Sequence, residues 1–132
     1  MTPNKKRKAG YERQRQWHNF KREHPDRAEY QLVQAIDKCR LDVVDYEYEV
    51  EEEGWFGWYN VAFRLGDRLC FIDMQAGHGG KKNRRAIELK KEYAERHGHP
   101  FLEVSGDSVI QMRAEIELWL LKLRREQRNE RL

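Results

Sequence analysis

Residues 58–82 read WYNVAFRLGDRLCFIDMQAGHGGKK, and the rest of the chain is organised around them. Two apolar runs, Tyr59 to Leu65 and Leu69 to Met74, flank the pair Gly66-Asp67. Gly followed by Asp is a two-residue hairpin signal, because glycine supplies the positive φ that the tight turn demands. With that turn Leu65 pairs with Arg68, and counting back along both strands sets Asn60 opposite Asp73 and Trp58 opposite Gln75. Directly opposed residues hold their Cβ atoms about 4.5–5.5 Å apart on one face of the sheet. Two polar side chains therefore meet in the middle of two apolar strands. A buried carboxylate is costly unless a metal ion or a hydrogen-bonded partner compensates it, and the spacing alone leaves both open.

Outward from the hairpin, Asp26 to Arg40 reads as a helix, with Asp26 as cap, Glu29 completing a capping box, and Leu32, Val33, Ile36 and Cys39 as the buried stripe. Val43 to Glu52 alternates: Val44, Tyr46, Tyr48 and Val50 face one way, Asp45, Glu47, Glu49 and Glu51 the other. That is a strand with one wet face, whose carboxylate ladder discourages edge-to-edge pairing. A turn over Glu53 to Gly57 carries Trp55 and Phe56, either as exposed contacts for a base or a protein partner or folded back onto the core. After Met74 comes a glycine-rich basic loop, Gln75 to Arg85, with His78, Lys81, Lys82, Arg84 and Arg85. Its glycines let backbone N–H groups approach a phosphate, although it lacks the pattern of a P-loop. Ala86 to His97 is a helix stopped at Gly98, and Phe101 to Val104 is a short strand. Asp107 or Ser108 caps a last helix with Val109, Met112, Ile116, Trp119, Leu120 and Leu123 buried and a fraying charged tail from Arg124. The order is α-β-β-β-α-β-α. Its β-α-β unit is expected to be parallel and right-handed, giving an α/β sandwich, a mixed sheet flanked by helices.

The 132 residues suit one domain, with 37% charged residues and a net charge of +3. The charge is unevenly spread. Residues 1–24 form a basic arm (Lys5, Lys6, Arg7, Lys8 and further cations), and residues 25–132 form the domain. A basic arm of this kind touches nucleic acid or serves as a solubilising tail. Cys39 and Cys70 fall in a helix and a strand pattern and read as reduced core residues of an intracellular, cytoplasmic protein. No window suits a membrane span. The spacing of Cys70, His78, His97 and His99 fits no common zinc framework, and no serine or cysteine nucleophile stands in a recognisable motif.

This order of elements resembles the restriction-endonuclease-like (PD-(D/E)XK) superfamily, and residues 27–124 resemble very-short-patch-repair-type and related phage or bacterial endonuclease-like domains. The likeness rests on Glu29 in the first helix, Tyr59-Asn60-Val61-Ala62-Phe63 at the aspartate strand, Ile72-Asp73-Met74-Gln75-Ala76-Gly77-His78 at the acidic motif, and Lys90 eight residues before Gly98. It implies a metal-dependent DNA endonuclease or nuclease-derived DNA-processing protein. Asp73, Glu29 and the neutral oxygen of Asn60 would hold Mg²⁺ or Mn²⁺, and Asp73, Gln75, Glu29 and Lys90 would form the catalytic set. His78, Lys81, Lys82, Arg84, Arg85 and the Lys5, Lys6, Arg7, Lys8 block would hold the nucleic acid. Two positions depart from the pattern: Asn60 replaces an aspartate, and Gln75 stands where lysine or aspartate is usual. The alternative is a catalytically inactive nuclease-fold module, a phage or mobile-element accessory factor that binds nucleic acid or a protein through Trp55 and Phe56.

Overall fold

The computed structural model describes residues 15–16, 19–20, 23, 27–74 and 81–131, the side chains of 81–83 and 131 excepted. Within them the chain forms α1 (Arg27–Cys39), β1 (Asp42–Glu52), β2 (Trp55–Leu65), β3 (Arg68–Met74), α2 (Lys81–Arg96), β4 (Phe101–Val104) and α3 (Val109–Arg131). The four strands make one sheet in the order β1-β2-β3-β4. The first three form an antiparallel meander, and β4 joins β3 in parallel after the α2 crossover.

The register is the one the Gly66-Asp67 turn dictates. Leu65 pairs with Arg68 and the ladder runs back to Val61 opposite Ile72, with Gly66 at φ 64°. The β1-β2 turn is also only two residues long. Glu52 pairs with Trp55 and Gly54 takes φ 84°, so Trp55 and Phe56 belong to β2 and not to a loop.

Each face of the sheet carries its own core. On one, Leu32, Ala35 and Ile36 of α1 and Met112, Ile116, Leu120 and Leu123 of α3 pack on Val61, Phe63, Cys70, Ile72 and Val104. On the other, Ala94 and Tyr93 of α2 pack with Val50, Tyr59, Ala62 and Phe71. Side chains such as Tyr59, Phe63, Phe71 and Ile116 are fully buried. Each is worth about 1.5–3 kcal/mol over an exposed position.

Helix ends depart from the sequence expectation in two places. α2 begins at Lys81, five residues earlier than the apolar periodicity implies, so the basic cluster forms its opening turns. It stops where expected: Gly98 has φ 73°, and the N–H groups of Gly98 and His99 donate to the carbonyls of Glu95 and Ala94. α3 does not fray at Arg124. It runs on to Arg131, because Gln127 donates to the Leu65 carbonyl (3.3 Å) and Glu130 pairs with Arg68 (3.4 Å), tying its end to the β2-β3 turn. Cys39 and Cys70 are free thiols, and burial pushes the Cys70 thiol up to about 11. Among the described residues no helix is long and apolar enough to cross a membrane.

Candidate functional site

In a regular strand, residues i and i+2 share a face. β1 and β2 both break that rule at the same step. Val43 and Tyr46 pack with the α1/α3 core, whereas Tyr48 and Val50 pack with the α2 core. In β2, Val61 and Phe63 belong to the first core and Tyr59 to the second. Two irregularities in β1 accompany the switch: a bulge between Val43 and Asp45, and Glu47 at φ 53°. A left-handed backbone at a non-glycine residue costs of order 1 kcal/mol and persists only where surroundings enforce it. Consequently β1 has no uniform wet face. Val44, expected inside, is 44% exposed, and Glu47, expected in the solvated ladder, turns toward the protein.

The pairs Tyr46–Val61 and Tyr48–Tyr59 bracket Glu47 and set it opposite Asn60. Asn60 in turn faces Asp73 as counted from the hairpin. A polar row, Glu47–Asn60–Asp73, thus crosses three strands at the point where the two cores trade places. The Asn60 side chain donates from Nδ2 to Glu47 Oε1 (3.3 Å) and accepts at Oδ1 from the Met74 N–H (2.9 Å), while its backbone N–H donates to Asp73 Oδ1 (3.0 Å). Side chains here take over where the backbone ladder ends.

Lys90 closes the row from above. Ile87, Lys90 and Ala94 recur at helical spacing, so Lys90 shares the sheet-facing side of α2 with two buried residues. Its Nζ donates to Asp73 Oδ2 at 2.8 Å and lies 5.7 Å from the Trp58 ring centroid. The Tyr59 hydroxyl, with its ring stacked on Phe71, donates to the Lys90 carbonyl (2.5 Å) and fixes the height of the helix. Asp73 is only 2% exposed, the sole buried charged residue among those described.

Among the described residues, negative charge exceeds positive in this cluster. Burial, then the charges of Glu29 and Asp73, push the Glu47 carboxyl from 4.5 up to about 7, against the opposing pull of the Asn60 hydrogen bond and the Lys90 ammonium. Burial and the Asp73 charge likewise push the Tyr59 phenol upward. Glu47 is thus poised to exchange a proton near neutrality. Among the described residues, no three His, Cys, Asp or Glu side chains gather closely enough to hold a metal ion by themselves.

The structure therefore joins Asn60, Asp73 and Lys90 directly, and Glu29 through its field on Glu47. The Asn60 oxygen, expected as a neutral metal ligand, accepts the Met74 N–H and keeps a second lone pair. Arg84 pairs with Glu103 (2.8 Å), and Arg85 lies near Glu88 and Glu92 (3.6 and 3.9 Å). Lys81 and Lys82 sit in the first turn of α2. Gln75, His78, Lys5, Lys6, Arg7 and Lys8, together with the Asp26 cap, lie outside the described residues. Trp55 and Phe56 resolve to the inward option. Phe56 is 4% exposed, and Trp55 packs on Tyr93 at 5.3 Å, so neither is a free partner contact. Arg15 sits over Phe56 and pairs with Glu51 (3.2 Å), so part of the basic arm rests on the acidic strand. Glu47 was the residue that alternation concealed. The second two-residue turn, Glu53-Gly54, was the signal that could have found it, since counting back from Glu52–Trp55 puts 47 against 60.

Comparison of the chain with protein-family models, with curated proteins and with solved structures returns no match.

Proposed function

We propose that the chain is a metal-dependent endonuclease acting on DNA, with the restriction-endonuclease-like arrangement of its elements. The observation that carries this reading is the half-buried row Glu47–Asn60–Asp73 capped by Lys90, a site with more carboxylate than ammonium among the described residues, at the sheet end where the Gly-rich stretch leaves β3. A divalent cation would relieve the charge that holds a proton on Glu47 near neutral pH. Asp73 and Glu47 are the carboxylates that would hold it. Each Asp73 oxygen accepts one hydrogen bond and retains a further lone pair, and Mg²⁺ keeps several waters, so two protein ligands suffice. Bound there, Mg²⁺ or Mn²⁺ would polarise a phosphate and acidify its water. Lys90 spends one of three donors on Asp73 and has two for a phosphate oxygen. Asn60 holds both carboxylates in register. The cations that open α2 and the basic N-terminal arm would supply affinity for the nucleic-acid backbone.

The second reading is a catalytically inactive module that binds nucleic acid. It is favoured by the Lys90 ammonium lying where a metal would approach Asp73 Oδ2. One experiment separates the two. Purified protein is incubated with supercoiled, branched and single-stranded DNA in Mg²⁺ and in Mn²⁺, beside Asp73→Asn. Metal-dependent cutting lost in Asp73→Asn supports the endonuclease. Salt-sensitive binding without cutting supports the module, and neither cutting nor binding at low salt removes both.

A further inference from the structure

The core-facing stripe of α3 is Met112, Ile116, Leu120 and Leu123. The opposite face should be polar, yet Ile110, Leu118 and Leu121 are 82%, 69% and 58% exposed, and Ala114 is exposed between them. The spacing 110, 114, 118, 121 is a continuous stripe along three turns, with the period of a helix–helix seam. Scattered apolar residues are ordinary on a surface, whereas contiguous apolar patches mark interaction sites.

We propose that this stripe pairs with α3 of a second copy of the chain, antiparallel and about a two-fold axis. The sequence of the stripe is self-complementary in that sense. With the axis between Ala114 and Leu118, Ile110 lies against Leu121 of the partner subunit and Ala114 against Leu118 of the partner subunit, small against large. The flanking charges make the same choice. Arg113 and Glu117 lie on one flank, already paired at 2.8 Å. In an antiparallel two-fold pair each flank meets its own copy, which brings Arg113 to Glu117 of the partner subunit and Glu117 to Arg113 of the partner subunit. A parallel pair would set this flank against the opposite flank of the copy, and the Arg113–Glu117 match would be lost. This is an isologous interface that closes at two copies.

The test is the mass of the full chain in solution by sedimentation equilibrium across a concentration series, with Leu118→Glu, Arg113→Glu and the exchange Arg113→Glu/Glu117→Arg. The parent should be a dimer. Leu118→Glu should weaken association by roughly 100-fold or more, because two unpaired carboxylates enter an apolar seam, while its far-UV circular dichroism matches the parent. Arg113→Glu should weaken the dimer and the exchange should restore it, a rescue that a packing defect would not produce. A parent that stays monomeric through the series, or a dimer indifferent to Leu118→Glu, overturns the proposal.

Discussion

Replacing Lys90 by Met probes the centre of the site. Lys90 Nζ stands 2.8 Å from Asp73 Oδ2, with the two side chains 16% and 3% exposed. At an effective dielectric near 20, that separation gives a gross attraction of about 6 kcal/mol, part of which desolvation cancels. Removing one partner of a buried pair strands the other charge and costs about 3–5 kcal/mol. The residual exposure of Lys90 favours the lower end, about 3 kcal/mol. Asp73→Asn should cost less, about 1–2 kcal/mol, because a lysine stem can carry its ammonium out to water whereas a carboxylate on a central strand cannot move. The double variant Lys90→Met/Asp73→Asn leaves no orphan charge and should recover at least about 2 kcal/mol relative to the sum of the singles. Urea unfolding measures all four proteins. For a domain of this size the single Lys90 change should move the midpoint by roughly 1–3 M. A cost below about 1 kcal/mol for Lys90→Met, or strict additivity in the double variant, would refute the claim that this pair is desolvated and coupled.

Further outcomes follow from the same geometry. Glu47 has its folded-state pKa raised from 4.5 to about 7, so its contribution to stability is full below 4.5 and is lost as pH rises through about 7. After allowance for its partial exposure the loss is about 1–2 kcal/mol, and Glu47→Gln should abolish it, leaving the variant more stable than the parent under mildly alkaline conditions in pH-dependent melts. Asn60→Asp retains an oxygen for the Met74 N–H but gives up the amide bond to Glu47 and adds a carboxylate. It should lower the melting temperature in chelator and regain it in Mg²⁺, and a melt indifferent to Mg²⁺ would count against a cation at this row. At Gly57 an added Cβ would lie 2.5 Å from the Trp55 ring. Gly57→Ala should therefore displace Trp55 from Tyr93 at a cost of about 1–3 kcal/mol, visible as altered tryptophan fluorescence.

The element order, the hairpin register and the meeting of Asn60 with Asp73 were legible in the sequence because each follows from local chemistry. Gly66-Asp67 admits only a short turn, and a two-residue turn sets every pair behind it. The apolar spacing of α3 and the stop at Gly98 are equally local. The sequence order alone could not place Glu47. Its alternation with Tyr46 and Tyr48 predicts a solvated side chain, and only the packing of two separate cores on the two faces makes β1 and β2 reverse their facing at Glu47 and Asn60. The Lys90–Asp73 contact belongs to the same class. Periodicity puts Lys90 on the buried side of α2, but which strand lies beneath it depends on where the crossover sets the helix on the sheet, a decision made by Tyr59, Phe71 and Ala94 packing together. Covalent geometry acts over a few residues and can be read along the chain. The balance of burial against charge that defines this site is set by neighbours distant in sequence, and exists only once the chain has folded.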